Sequence, residues 1–218
     1  MSEDRRMIKD IEAVIGRFPK LKSRRNNEHE AWIIEGDLDI CDTQGVYWDT
    51  FEIVIILDKK YPFSVPIVIE RSTRVPREDD RHISKSGVCC LDIDHRLLRL
   101  ATRGINLLDF ITTKVYPFFA NQLYFEEKGC YAGEEYAHRF KGVEQFYNHE
   151  LNINTPEMAA SFLELMISNK IPERNALCPC GSKTKYKKCH QSAIEFLAQV
   201  GKERLKEDLV GFKKLMPN

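Results

Sequence analysis

The stretch Asp49 to Glu70, DTFEIVIILDKKYPFSVPIVIE, decides the fold class. Its first half alternates, with Phe51, Ile53, Ile55 and Leu57 on one side, which is the period of a strand with one buried face. Tyr61-Pro62-Phe63-Ser64-Val65-Pro66 then breaks it, because proline carries no N–H for a sheet ladder. Ile67 to Glu70 resumes extended chain. Upstream, EHEAWIIEGDLDICD (28–42) is rich in β-formers and partly alternates, so it reads as a preceding strand. Further back, MIKDIEAVIGRFPKL (7–21) places Met7, Ile8, Ile11, Val14, Ile15 and Phe18 at helical spacing. A helix followed by an antiparallel meander of three or more strands predicts an α+β fold.

Downstream the pattern changes. RSTRVPREDDRHISKSGVCCLDIDHR (71–96) is charged and irregular, and loops of this length in compact domains often carry function. INLLDFITTKVYPFFANQLYF (105–125) reads as an apolar helix, kinked or ended near Pro117. GEEYAHRFKGVEQFYNHEL (133–151) is a second helix, with Tyr136, Phe140, Val143 and Tyr147 along one face. Thr155 caps a third with Pro156 at its first position, ending near Asn169. SAIEFLAQVGKERLKEDLVGFKKLM (192–216) is a closing amphipathic helix. The division this implies is a domain over 1–150, a helical connector over 151–174, a compact cysteine-rich element over 175–191 and a C-terminal helix over 192–218.

The 218 residues hold 33 basic and 33 acidic side chains, so the chain has no formal net charge. A balanced chain gives no electrostatic reason to bind nucleic acid or an anionic membrane. MSEDRRMIKD lacks the apolar core of a signal peptide, and no apolar run approaches the ~18 residues of a membrane span. The expected compartment is the cytoplasm. Seven cysteines without a secretion signal argue against a disulfide framework and for ligands or nucleophiles. Cys41 and Cys130 stand alone and read as bystanders.

Cys178, Cys180, Cys189 and His190 supply four zinc-type donors within thirteen residues. Three thiolates and an imidazole suit a tetrahedral, closed and hence structural Zn2+ site. An element this short has little core, so the metal would supply its folding energy. The string CPCGSKTKYKKCH closely resembles the SEC-C motif at every ligand position, and that resemblance implies a small protein-interaction module. Lys183, Lys185, Lys187 and Lys188 make it basic, whether simply solvated or facing an acidic partner. A nucleic-acid reader would need more aromatic platforms than Tyr186 alone.

The pair Cys89-Cys90 ends the long loop. In extended chain neighbouring side chains face opposite ways, so one thiol faces the loop's open side and the other packs. On local grounds either is readily a buried structural cysteine. The order of features points further. Helix, meander, Tyr-Pro break, long loop, Gly87-x-Cys89-Cys90-Leu91-Asp92 and late helices resemble the ubiquitin-conjugating (UBC) fold over residues 5–150. Tyr61-Pro62-Phe63-Ser64-Val65-Pro66 parallels that family's Tyr-Pro-x-x-Pro-Pro turn with one proline lost. Asp80-Arg81-His82-Ile83 stands where the family has His-Pro-Asn-Ile. Cys90 falls on the nucleophile's position and Cys89 on an aliphatic one, and AHRFKGVEQFYN (137–148) looks like the family's penultimate-helix region.

The resemblance implies that Cys90 accepts an acyl group as a thioester and passes it to a lysine. A thiol suits both steps, being nucleophilic near neutral pH and a leaving group from a still reactive ester. The family's asparagine donates to the oxyanion; here His82 stands in its place, and imidazole can also take a proton from a thiol. A His82–Cys90 dyad would let the enzyme cleave a peptide or isopeptide bond as well. His82 as a plain surface histidine is the alternative. The family's tryptophan after the cysteine is absent. Its acidic gate has only Glu126, Glu127 and Glu134 as candidates, which equally read as solvated carboxylates, and His95 reads as a solvent-facing loop residue.

Within that family the chain resembles the bacterial stand-alone UBC-like proteins, some of which accompany a cyclic-nucleotide synthase in the anti-phage systems called CBASS. For these the resemblance implies transfer of the synthase's C-terminal tail to a protein lysine, so the expected partners are a protein presenting such a tail and an acceptor protein. Two rival readings stand beside it. One is a non-catalytic UBC-variant-like scaffold. The other is a thiol oxidoreductase using Cys89 and Cys90, disfavoured because adjacent cysteines form only a strained disulfide.

Overall fold

The computed structural model describes residues 2–133 and 135–216. The chain is α+β and divides into two compact units, Met1–Asp92 with Leu100–Glu135, and Ile93–Arg99 with Tyr136–Asn218.

The first unit opens with helix α1 (Ser2–Arg17), which buries Met7, Ile11 and Val14, with Phe18 just beyond it. A four-stranded antiparallel sheet follows in the order β1 (Leu21–Asn26), β2 (Ala31–Cys41), β3 (Tyr47–Leu57) and β4 (Ile67–Glu70). Register sets Ile34 opposite Ile55, Gly36 opposite Ile53 and Leu38 opposite Phe51. With a side-chain period of two, these share one face, and every bulky member is buried. Burying each is worth about 1.5–3 kcal/mol, which fixes the register, since a slip of one residue would turn the set to water. Gly36 lies at φ +141°, and a Cβ there would meet the Lys20 carbonyl at 2.4 Å. Strand β1, LKSRRN, has no apolar alternation and buries only Leu21. Pairing with β2, not its own pattern, makes it a strand.

Helix α3 (Leu107–Phe110), a π-segment (Ile111–Val115) and α4 (Tyr116–Lys128) run on without a stop at Pro117. The expected break is replaced by the π-segment, after which Pro117 takes a first-turn position where its missing N–H is tolerated. Phe119 of α4 packs on Phe51 of the sheet at 4.6 Å between ring centroids.

The second unit is helical: α5 (Phe140–Leu151), α6 (Pro156–Ile167), α7 (Gln191–Ala198) and α8 (Lys202–Leu215). Thr155 accepts from the Met158 N–H at 3.2 Å, the cap its sequence called for. Phe146, Tyr147, Phe162, Leu163, Leu197 and Phe212 form its core. Helix α5 therefore belongs with the C-terminal helices, whereas the sequence reading set a boundary after residue 150. The closing helix expected over 192–218 is two helices, separated at Gly201 with φ +98°. The helix expected from residue 133 starts at Phe140.

His95 is a correction. It lies in the first turn of α2 (Asp94–Arg103) and is fully buried, not solvent-facing. Its Nε2 is 2.6 Å from Asp208 Oδ2, which also accepts from the Tyr147 hydroxyl at 2.8 Å; Arg204 Nε donates to Asp208 Oδ1 at 3.0 Å. A buried carboxylate is tolerated only with such partners.

Candidate functional site

The segment carrying the cysteine pair is a tight hairpin docked on the edge of β4. The Cys89 N–H donates to the Val68 carbonyl at 2.8 Å and the Glu70 N–H to the Gly87 carbonyl at 2.9 Å. Inside the hairpin, Ile83 pairs with Cys89 in antiparallel register, and the Ser84 N–H donates to the Val88 carbonyl at 2.9 Å. Gly87 makes the turn possible at φ +87°, where a Cβ would lie 2.6 Å from the Glu70 carbonyl oxygen. Arg77 clamps the same place, donating from Nη2 to the Glu70 carbonyl at 2.7 Å and pairing with the buried Glu70 carboxylate at 2.6 Å.

Alternation then sorts the two thiols. Ile83 and Cys89 face inward and are buried, while Cys90 is exposed. Burial pushes the Cys89 thiol up to about 12, so it stays protonated at neutral pH and behaves as a packing residue. The Cys90 N–H donates to the His82 carbonyl at 2.8 Å, so residues 82 and 90 stand across from each other one step beyond the Ile83–Cys89 bridge.

His82 closes a short 3₁₀ turn (Asp79–Arg81) in the left-handed region, φ +52° and ψ +30°. Helix α4 holds that turn from below. Arg81 is buried, donates from Nε to Gln122 Oε1 at 2.9 Å and stacks over Phe125 at 4.5 Å, while Gln122 Nε2 donates to the Arg81 carbonyl at 3.1 Å. The Tyr131 hydroxyl donates to the Asp80 carbonyl at 3.1 Å. The imidazole of His82 sits 5.7 Å from the Tyr131 ring, with Nε2 3.0 Å from Glu135 Oε1. Glu135 is 53 residues away in sequence, and no local pattern marks it.

The candidates for an acidic gate fare differently. Glu126 pairs with Arg74 at 3.1 Å and Arg81 at 3.7 Å. Glu127 is exposed and pairs with Lys128 at 2.7 Å. Glu134 lies outside the described residues. Cys41 is half-buried and Cys130 exposed.

The second cluster lies in the helical unit. The donor atoms of Cys178, Cys180, Cys189 and His190 all fall within 4.8 Å of one another. The Cys178 N–H donates to the Thr184 carbonyl at 2.8 Å, and the Tyr186 N–H to the Ala176 carbonyl at 2.8 Å, which folds the early cysteines onto the late pair. Cys178 Sγ lies 3.4 Å from His190 Nδ1, Cys180 Sγ 3.5 Å from Cys189 Sγ, and Cys189 Sγ 3.2 Å from His190 Nδ1. A tetrahedron with ~2.3 Å metal–sulfur bonds has edges of about 3.8 Å, so the four donors fit one metal ion with little adjustment. His190 Nε2 donates to the Asn152 carbonyl at 2.9 Å, which leaves Nδ1 free to coordinate. Asn152, at the left-handed cap of α5, went unmarked in sequence because it acts through its backbone. Burial pushes the Cys178 thiol up to about 11. At Cys180 burial also raises the thiol, but hydrogen bonds from Ser182 and the neighbouring sulfurs together outweigh it and bring it to about 6.

The chain carries a SEC-C motif. Its family model matches residues 174–192 and so encloses all four donors. No curated protein and no solved structure matches the chain. No helix among the described residues is long and apolar enough to cross a membrane.

Proposed function

We propose that the chain is a ubiquitin-conjugating-like cysteine acyltransferase in which Cys90 is the nucleophile. The observation that carries this is an exposed Cys90, held opposite His82 at the end of a hairpin pinned to the sheet edge. The element order of the first unit, helix, four-stranded meander, long loop and helices, agrees with the UBC-like architecture the motifs imply. The Cys90 thiol loses its proton, its sulfur bonds to an acyl carbon, and the donor's leaving group departs with a proton. A lysine amine then displaces the sulfur and the thiol is restored.

His82 takes the place of the family's oxyanion donor and adds a base. That supports a second capability, cleavage of the donor's own peptide or isopeptide bond. The finer reading, a cyclic-nucleotide synthase as acyl donor in anti-phage defence, rests on the sequence resemblance. Zinc is the metal that three thiolates and an imidazole select best. With four protein donors the ion's role is structural, and the basic SEC-C surface is a site for a protein partner.

Intact-mass measurement after mixing with candidate acyl donors tests the assignment. A thiol-labile adduct that disappears in Cys90→Ala is the expected result. No adduct with any donor would leave a binding scaffold as the better reading. His82→Asn should retain lysine transfer and lose most hydrolysis.

A further inference from the structure

The geometry points to Glu135 as the positioning residue of His82, completing a Cys90–His82–Glu135 arrangement. This rests on the nucleophile assignment above and adds a third member to it. Glu135 Oε1 lies 3.0 Å from His82 Nε2, and both belong to the same compact unit. A carboxylate accepts only, so the ring must place a hydrogen on Nε2. Neutral imidazole then keeps Nδ1 as its lone-pair nitrogen, the acceptor a thiol proton requires. An orienting group behind the base is the recurring logic of thiol and hydroxyl nucleophiles.

Two further features favour positioning over stability. The pair is half open to water, with 21% and 40% of the two side chains exposed, and exposed ion pairs contribute little to folding. His82 is also held in the left-handed region, φ +52°, which a non-glycine residue rarely adopts. The His82 N–H to Asp79 carbonyl bond at 2.9 Å and the Cys90 N–H to His82 carbonyl bond at 2.8 Å impose it. The backbone is thus fixed on both sides, the ring packs beside Tyr131, and Glu135 takes the nitrogen at its tip.

The proton balance is closed. His82 Nδ1 takes the Cys90 proton, and the imidazolium formed is faced by the Glu135 carboxylate. The Sγ–carbon bond forms, the acyl carbon's bond to its leaving group breaks, and that group takes the proton from Nδ1. Glu135 exchanges no proton at any stage.

The test is the rate at which iodoacetamide alkylates Cys90 at pH 7 in the full-length, metal-loaded protein, mapped by peptide mass. Glu135→Ala should slow it about five-fold, the scale of one exposed charge-assisted contact. Glu135→Asp, which keeps a carboxylate, should recover most of the rate, and melting temperatures should stay close to wild type. His82→Asn, whose new side chain tolerates the left-handed backbone, should be at least as slow, and adding Glu135→Ala should slow it no further. A wild-type rate in Glu135→Ala beside a slow His82→Asn overturns the positioning role and leaves the dyad standing. Additive losses in the double variant overturn it too, because Glu135 would then act independently of His82. A wild-type rate in His82→Asn removes the base itself, and Glu135 with it.

Discussion

Cys89 and Cys90 are covalent neighbours with opposite chemistry. The bridge from Ile83 to Cys89 turns one sulfur into apolar packing and the next to water. Burial holds Cys89 protonated up to about 12, against 9.0 for an unperturbed thiol. Folding therefore keeps a proton that the unfolded chain releases above pH 9. The stability this gives is complete below pH 9 and is lost as pH rises towards 12, at about 1.4 kcal/mol per pH unit. Cys89→Ala should cost about 1 kcal/mol at neutral pH, leave Cys90 adducts intact, and melt with a flatter alkaline limb than wild type. Denaturant titrations at pH 7, 9 and 10 would check it; an unchanged alkaline slope would show that Cys89 does not titrate in this way.

At the scale of elements, the hairpin is only as well placed as its contact with β4. Gly87 is the tightest point, with φ +87° and the Glu70 carbonyl in the space of a side chain. Gly87→Ala should destabilise the first unit by about 2 kcal/mol and disturb Cys90, because strain and clash act together there. Urea unfolding followed by tryptophan fluorescence reads this directly, and a change below about 0.5 kcal/mol would mean the hairpin yields without loss. Helix α4 has a comparable role from the other side. Its buried Gln122 and half-buried Phe125 hold Arg81, and Arg81 precedes His82. The π-segment before Pro117 lets that helix run on without a break to reach it.

For the molecule as a whole, both tryptophans, Trp32 and Trp48, lie in the sheet-bearing unit, and the metal donors lie in the helical one. His190 joins the metal cluster to the end of α5 through Asn152, and Cys178 and Tyr186 belong to the same buried core as Phe146 and Phe162. Metal affinity should therefore be folding energy for this unit. A strong zinc chelator, or Cys178→Ser, should lower the far-ultraviolet helix signal and open cleavage sites within residues 136–216. Tryptophan fluorescence should remain unchanged. A parallel loss of both signals would mean that the two units unfold as one.

The helix–meander order, the long loop and the metal donors were legible because each depends on local spacing. Strand alternation marked β3, an i, i+3, i+4 stripe marked α1, and thirteen residues held all four donors. Thr155 with Pro156 marked a helix start for the same reason. Other features carry no local trace. Strand β1 is polar and exists through its partner. His95 looks like a loop histidine until Asp208, 113 residues on, supplies the acceptor that lets it be buried. Glu135 is one acidic residue among many until the backbone brings it to His82. The sequence by itself determined the helix–meander order and where chemistry is possible, since periodicity and donor spacing are short-range. Only the tertiary structure decided which thiol meets solvent and what stands behind each imidazole, because burial and pairing are set by residues far apart in the chain.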